Sequence, residues 1–534
     1  MRSIVAILTI MLLAVPAFAM ADFSSADEPL EFWDDDNDPV LKYRVIKDNE
    51  VQVCELYEDY TGESLTINKT ITHDAITYDI VSMDVYFENG SIETIYIPKT
   101  ISKINDGCFG IPTLQSITVE DGCANYSSID GVLYEKKNGV ENRLLVCPMS
   151  KPGESYTEIP GTVSEIAQYA FTSTDFETIK LNDGIIKIGS FAFYRCSNLV
   201  NIKSNLGDNT LPESVSSIGS FAFSDCTKLQ VLNLPEGLEY IGACAFSNSG
   251  LTAVHIPLYT DFIGESAFAD CSGITKFTSD NLDYPVDDGG VLYAIGRGDM
   301  KSIFAYPAAR TDETFTIPED VSDIYSDAFS GCTHLKEVVL NDYFLDIPDQ
   351  AFMNCKSLER IDISKVVSIG MSAFNGCENL SNIELGKDLT TVWDAAFFNC
   401  NLKTLTIPAS VLYIGDGAFK SCANLKEVTI EEGSKVKIYE GAFADDRALE
   451  KITIASKDVT LLENSLAITY DDGDPFTLNV EVVKGYSIPD NAANAATKLN
   501  VSVIGERPYP WENWIGVFFC ALVVIGILLA VREV

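Results

Sequence analysis

Histidine is nearly absent from this chain of 534 residues, which carries His73, His255 and His334 and no other. None stands in a His-Glu-x-x-His pair, a serine nucleophile elbow, or a spacing that would join it to cysteine around zinc. No phosphate loop or dinucleotide fingerprint appears either, so neither an enzyme activity nor a cofactor nor a metal is expected. Basic residues are also scarce. Thirty-seven Lys and Arg against 78 Asp and Glu leave a formal net charge of −41. Such a surface repels phosphate backbones, which excludes nucleic acid as a partner and suits a protein that must stay soluble in a crowded space. No aromatic stripe marks a sugar-binding track.

Long apolar runs occur only at the two ends. Arg2 precedes an apolar stretch from Ile4 to Val15, and Pro16 is followed by Ala17-Phe18-Ala19, a small-x-small cleavage site. This order predicts a signal peptide over 1–21. Ile515 to Val531 is uncharged, Trp511 and Trp514 sit just before it, and Arg532 follows. That pattern predicts a transmembrane helix over 515–531, a juxtamembrane stalk over 507–514 and a cytoplasmic tail over 532–534. Exchange onto a lipid anchor is the alternative reading of the same tail. Either way the expected place is the cell surface, with the large N-terminal region outside.

Between the ends the chain repeats itself. A Phe, usually after Ala, recurs at 109, 171, 193, 223, 246, 268, 329, 352, 374, 397, 419 and 443, mostly in steps of 22 to 24 residues. Pro98, Pro160, Pro212, Pro235, Pro257, Pro318 and Pro408 each stand eleven residues before such a Phe. That half of the unit tolerates no insertion, so extra residues belong to the other half. The unit reads Leu-x-x-(Leu/Ile)-x-Ile-Pro-x-x-Val-x-x-Ile-Gly-x-x-Ala-Phe-x-x-Cys, as from Leu402 to Cys422. Its apolar-x-Ile step has the period of a strand, placing Leu405 and Ile407 inward and Thr406 outward. A single turn cannot bury its own apolar face, whereas a stack of turns can.

This unit resembles the BspA-type leucine-rich repeat found in microbial surface proteins, on the strength of its Ile-Pro, Ile-Gly and Ala-Phe-x-x-Cys signatures. The resemblance covers roughly residues 91–460 and implies a non-catalytic adhesin or interaction protein. The expected fold is a β-rich leucine-rich repeat solenoid of about twelve turns of 22–24 residues, with a β-rich N-terminal cap over 22–90 and a C-terminal cap over 461–506. In the C-terminal cap a short Ala-rich helix is expected at Asn491 to Ala496. Two longer steps match each other, Tyr126 to Pro148 and Tyr284 to Pro307. They predict β-hairpin insertions, about 121–157 and 279–315, projecting from similar faces without touching.

Cys196, Cys226, Cys271, Cys332, Cys355, Cys377, Cys400 and Cys422 each follow the repeat Phe by three residues. They read as a column of free, buried thiols, because side chains held in parallel on neighbouring rungs bridge poorly. Cys123 and Cys147 flank the first hairpin and are the candidates for a disulfide. Acidic clusters at Asp34 to Asp38 and Asp471 to Asp474 lack the spacing of a calcium loop and read as solvated turns. Asn68, Asn89, Asn125, Asn379 and Asn500 lie in glycosylation sequons. A partner, an extracellular protein or a glycan, is expected on the outward side chains of the strands. These include Glu359, Arg360, Asp362, Glu384, Lys403, Thr404, Thr406, Lys426 and Glu427. Two functions stay open at this point, a surface adhesin and a structural envelope component without a specific ligand.

Overall fold

The structure, a computed structural model, describes residues 29–34, 40–87, 91–156, 159–296, 298–468, 476–494 and 497–504. The signal peptide, stalk, transmembrane helix and tail fall outside the described residues, as do Asn89 and the acidic run at 471–474. Among the described residues every regular element is a strand, and no helix is long and apolar enough to cross a membrane. The expected helix at Asn491 is replaced, over the residues described there, by turns.

The described residues fold as β-solenoid turns, about 18 in all. The chain divides into two compact units, one of residues 1–362 and 369–380, the other of 363–368 and 381–534. In the second unit the turns build two parallel ladders. Thr404–Ile407, Glu427–Ile430, Lys451–Ile454, Phe476–Val482 and Thr497–Val503 form the first, paired in register. Thr391–Val392, Tyr413–Ile414, Lys437–Ile438 and Thr460–Leu461 form the second. The first unit repeats this plan. There, Glu165–Ile166, Lys187–Ile188, Ser217–Ile218, Tyr240–Ile241 and Phe262–Ile263 follow one another in one parallel ladder.

The repeat Phe residues fill the space between ladders as stacked rings. Phe171, Phe193, Phe223, Phe246 and Phe268 follow one another at centroid distances of 5.2, 4.9, 5.6 and 5.7 Å with planes within 12° of parallel. In the second unit Phe397, Phe419 and Phe443 continue the pattern at 5.3 and 5.8 Å. Most ring residues donate their N–H to the carbonyl just before the next ring, as Phe171 does to Ala192 and Phe419 to Ala442. The Ile-Gly glycine is needed for close approach. A Cβ on Gly242 would lie 2.3 Å from the backbone N of Ser220 in the turn below.

That hydrogen-bond rule explains why counting Phe gives too few turns. Phe87, Cys147, Tyr306 and Leu466 make the same bond, to Cys108, Ala170, Ala328 and Ala492. They are ring positions that do not read as Ala-Phe, and they supply four of the turns missing from the expected twelve. The same bonds correct the picture of projecting hairpins. Val132–Lys137 and Val140–Val146 are an antiparallel pair, but Leu144 in the return strand pairs in parallel with Ile166 and is a rung of the stack. Lys301–Ala305 does likewise against Val321–Ile324. Both hairpins carry fully buried residues, Tyr134 and Tyr293 among them. They are thickened rungs.

Candidate interaction surface

The nine residues expected to meet a partner are all exposed, although only Arg360, Thr404, Thr406 and Glu427 lie in strands, and Glu359, Asp362, Glu384, Lys403 and Lys426 lie outside them. Glu359, Arg360 and Asp362 belong to the first unit. Arg360 is occupied there, since its guanidinium donates to both carboxylate oxygens of Glu337 on the preceding rung at 3.3 and 3.2 Å. Glu384, Lys403, Thr404, Thr406, Lys426 and Glu427 belong to the second. Register places Thr404 beside Glu427 and Thr406 beside Thr429. This is the arrangement of any solvated sheet, with mixed charge.

A different surface, which the strand period concealed, lies at the bend before each ring. The residue two before the repeat Phe takes a left-handed backbone, with φ from 53° to 63° at Tyr169, Phe191, Phe221, Cys244, Ser266, Gln350, Ser372 and Ala395, and Gly107, Gly417 and Gly441 hold the same place. Small residues suit that conformation, and bulky aromatic ones are outliers in it. Three turns nevertheless use rings there. Tyr169 stacks on Phe191 at 4.9 Å, and Phe191 on Phe221 at 4.8 Å with planes 6° apart. All three are part-exposed and outside the Phe column. Tyr194 closes edge-on against Phe191 at 5.5 Å, with Arg195 over its ring.

At its Tyr169 end this outer ladder opens into an apolar cavity of about 240 Å³. Gly107 occupies the left-handed position there and adds no side chain. A Cβ on it would stand 3.1 Å from the Tyr169 ring and 3.3 Å from Tyr86, so the two tyrosines face each other across the missing residue. Phe109, Val146, Cys147 and Met149 line the rest, and Tyr86 is 70% exposed at the rim. No charged side chain enters the lining. Such a recess accepts an apolar side chain from a partner and offers few groups to a hydroxylated sugar.

Cys123 and Cys147 are both free, which corrects the expected pairing. The Cys123 thiol faces the carbonyl of Ile101 at 3.7 Å, and Cys147 sits at a ring position, with burial pushing its thiol far up. The column thiols also turn to carbonyls. Cys196, Cys226 and Cys271 donate to Phe171, Phe193 and Phe246 of the previous turn at 2.9, 3.1 and 2.9 Å. Of the sequons, Asn68, Asn379 and Asn500 are exposed, whereas Asn125 is half-buried and donates to Ser102.

The sequence profile described as a BspA-type leucine-rich repeat region matches in six copies over residues 77–133, 203–284, 302–403 and 345–467, more than half of the chain. The chain belongs to the BspA-type leucine-rich repeat family. The solved structures similar to this family member include a leucine-rich cell-surface protein from Faecalibacterium prausnitzii, at 24% identity and TM-score 0.47, covering 83% of this chain and 98% of that one. The pneumococcal vaccine antigen PcpA matches at 18% identity and TM-score 0.43, covering 86% and 97%. A leucine-rich repeat protein from Bacteroides ovatus matches at 18% and 0.30, covering 87% and 98%. No curated protein sequence matches the chain. In this BspA-type repeat the signature residues serve the stack, since Ile, Ala and Phe fill it, Gly lets turns approach, and Cys binds the carbonyl below. The signature is silent at the bend position before Ala-Phe, where the residue type varies from turn to turn.

Proposed function

We propose that this chain is a non-catalytic interaction protein of the cell surface, which holds an extracellular protein partner by an apolar anchor residue seated between Tyr86 and Tyr169. The observation that carries this is the outer aromatic ladder. Tyr169, Phe191 and Phe221 keep bulky rings in a left-handed backbone that costs roughly 1–2 kcal/mol per residue, at a place where the other turns use Gly or non-aromatic residues such as Ser, Ala, Cys, Gln and Asp. Strain held on a surface without gain to the core is a mark of a site. Aromatic rings beside a concave, desolvated recess are also what binding hot spots are made of. The export signal and C-terminal apolar segment expected from the sequence support taking this surface to lie outside the cell.

The test displays the full chain on a heterologous cell and measures retention on a panel of immobilised extracellular proteins and glycans. Selective retention on a protein, reduced about tenfold or more by Tyr86→Ser with Phe191→Ser, is the expected result. Retention on no component, or retention indifferent to both substitutions, defeats the proposal. Ordered self-assembly of the purified chain in place of retention would favour a surface coat.

A further inference from the structure

Three turns of the first unit bring together residues that the repeat signature does not require. Glu236 lies in the turn after Pro235, His255 faces outward on the strand Ala253–Ile256, and Asp280 directly follows the strand Lys276–Ser279. One ligand atom from each lies within 4.8 Å of the other two, and no other group of three His, Cys, Asp or Glu side chains meets that condition among the described residues. They are far apart in sequence and adjacent because the stack returns to the same place each turn. The parallel pairing of His255 with Thr278 and of Ile256 with Ser279 fixes their relative height.

The orientation of the imidazole is the second observation. Its Nδ1 is 3.0 Å from Thr278 Oγ1, while Nε2 faces Asp280 Oδ2 at 3.5 Å. When Nδ1 carries the proton, the Thr278 hydroxyl accepts from it and the Nε2 lone pair is left facing the carboxylates, as with the outer partner of a metal-bound histidine. The histidine side chain is 41% exposed, and Glu236 and Asp280 are open to solvent, so an ion could enter without moving the backbone. Among the described residues the column thiols offer no competing site, because they are buried, as Cys271 is against the Phe246 carbonyl.

We propose that Glu236, His255 and Asp280 form a binding site for one divalent cation of the zinc class on the outward face of these strands. One imidazole nitrogen with two carboxylates suits zinc, nickel or cobalt, whereas calcium and magnesium prefer an all-oxygen shell. Ligand distances of roughly 2.0–2.2 Å around one ion require the three side chains to close by about an ångström, which rotamer adjustment of exposed groups supplies. Three protein ligands leave at least one position to water on the solvent side.

The experiment titrates the full-length protein, purified in mild detergent and stripped with a chelator, with Zn²⁺ by calorimetry, and repeats it with Ca²⁺. One Zn²⁺ per chain and no comparable uptake of Ca²⁺ is expected. His255→Gln weakens Zn²⁺ binding by about tenfold or more, and Thr278→Val, which touches no ion, weakens it by about tenfold through loss of the oriented tautomer. Melting temperatures without metal check that both variants fold as the parent does. Absence of stoichiometric binding, or equal affinity in parent and His255→Gln, overturns the proposal.

Discussion

The backbone N–H of Cys422 donates to the carboxylate of Asp446 across 2.7 Å, at the turn where the thiol column ends. Asp446 stands three residues after Phe443, in the place that Cys fills elsewhere. It is fully buried, and its Oδ2 has no hydrogen-bond partner. Burial raises its carboxyl well above the ordinary range, opposed by the Cys422 N–H. The folded chain therefore holds a proton that the unfolded chain releases near pH 4. Stability falls as pH rises from that point towards the folded value. Asp446→Asn is expected to be nearly neutral at pH 3.5 and to stabilise by about 1–3 kcal/mol at pH 8. Urea denaturation at the two pH values measures the difference, and equal effects at both would contradict it.

The two aromatic columns should respond oppositely to truncation. Phe193 is fully buried between Phe171 and Phe223, so Phe193→Ala is expected to cost about 3–5 kcal/mol through lost transfer energy and a cavity. Phe221, two residues before Phe223, has φ of 57°. Phe221→Gly loses a stack worth about 0.5–1.5 kcal/mol beyond area burial and regains a comparable amount of backbone strain. Its net effect on chemical denaturation should lie within about 1 kcal/mol of zero. A loss as large as that of Phe193→Ala would place Phe221 in the core and remove the case for an outer ladder.

The thiols predict a chain indifferent to reductant. Burial pushes those of Cys196 and Cys271 up to about 11, and hydrogen bonds to Thr174 and Ser249 pull the other way. Thiolate is the reactive form, so these groups should ignore a thiol reagent at pH 8 until denaturant is added. Melting with and without a reducing agent should agree. A drop in Tm on reduction would show a disulfide, with Cys123 and Cys147 the first pair to map.

Much of this architecture can be read from residue periods. The ladders, the inward Leu405 and Ile407, and the buried Cys column follow from spacing, because a stack repeats the same environment and leaves the same residue type in it. The turn count is less legible. Cys147, Tyr306 and Leu466 make the ring position's hydrogen bond without the ring motif, and only the backbone shows it. The outer ladder escapes a strand-based reading for a related reason. Tyr169, Phe191 and Phe221 sit at a bend, where period two does not apply and where no propensity favours an aromatic residue. The Glu236, His255 and Asp280 group joins three turns, and contact across turns has no signature in one linear spacing.

Arg143 anchors the first hairpin. From the return strand Val140–Val146 its guanidinium reaches the carboxylates of Asp106, Glu135 and Glu165, with Nε to Glu165 Oε1 at 3.1 Å and Nη1 to Glu135 Oε2 at 3.4 Å. It is about one-fifth exposed, so screening reduces the full cost of breaking a buried pair. Arg143→Met keeps the aliphatic stem and leaves three carboxylates facing one another. It is expected to destabilise by about 2–3 kcal/mol, less at pH 4 as the carboxylates take up protons. Hydrogen exchange should show the loss concentrated in Val132–Lys137 and Val140–Val146.

Asp327 opens the turn after the second hairpin, two residues before Phe329, in the left-handed position that Tyr169 and Phe191 occupy further back. It is 8% exposed, and the Ser266 hydroxyl donates to its Oδ2. Burial pushes its carboxyl up to about 7, the Ser266 bond lowers it, and the nearby charges of Asp270, Asp349 and Glu265 add to the rise. The unfolded group ionises near pH 4, so between pH 4 and 7 the folded chain binds the extra proton and stability declines with rising pH. Above pH 7 the whole cost is present, at most about 4 kcal/mol for a shift of about three pH units. Asp327→Asn keeps an acceptor for Ser266 and removes the charge. Relative to the parent it should gain up to about 3 kcal/mol of stability between pH 5 and pH 8, read by denaturant unfolding at both. The parent should also show a protonated-carboxyl infrared band at pH 6 that weakens in the variant. If the variant tracks the parent across this range, Asp327 is ionised throughout and the Ser266 bond outweighs its burial.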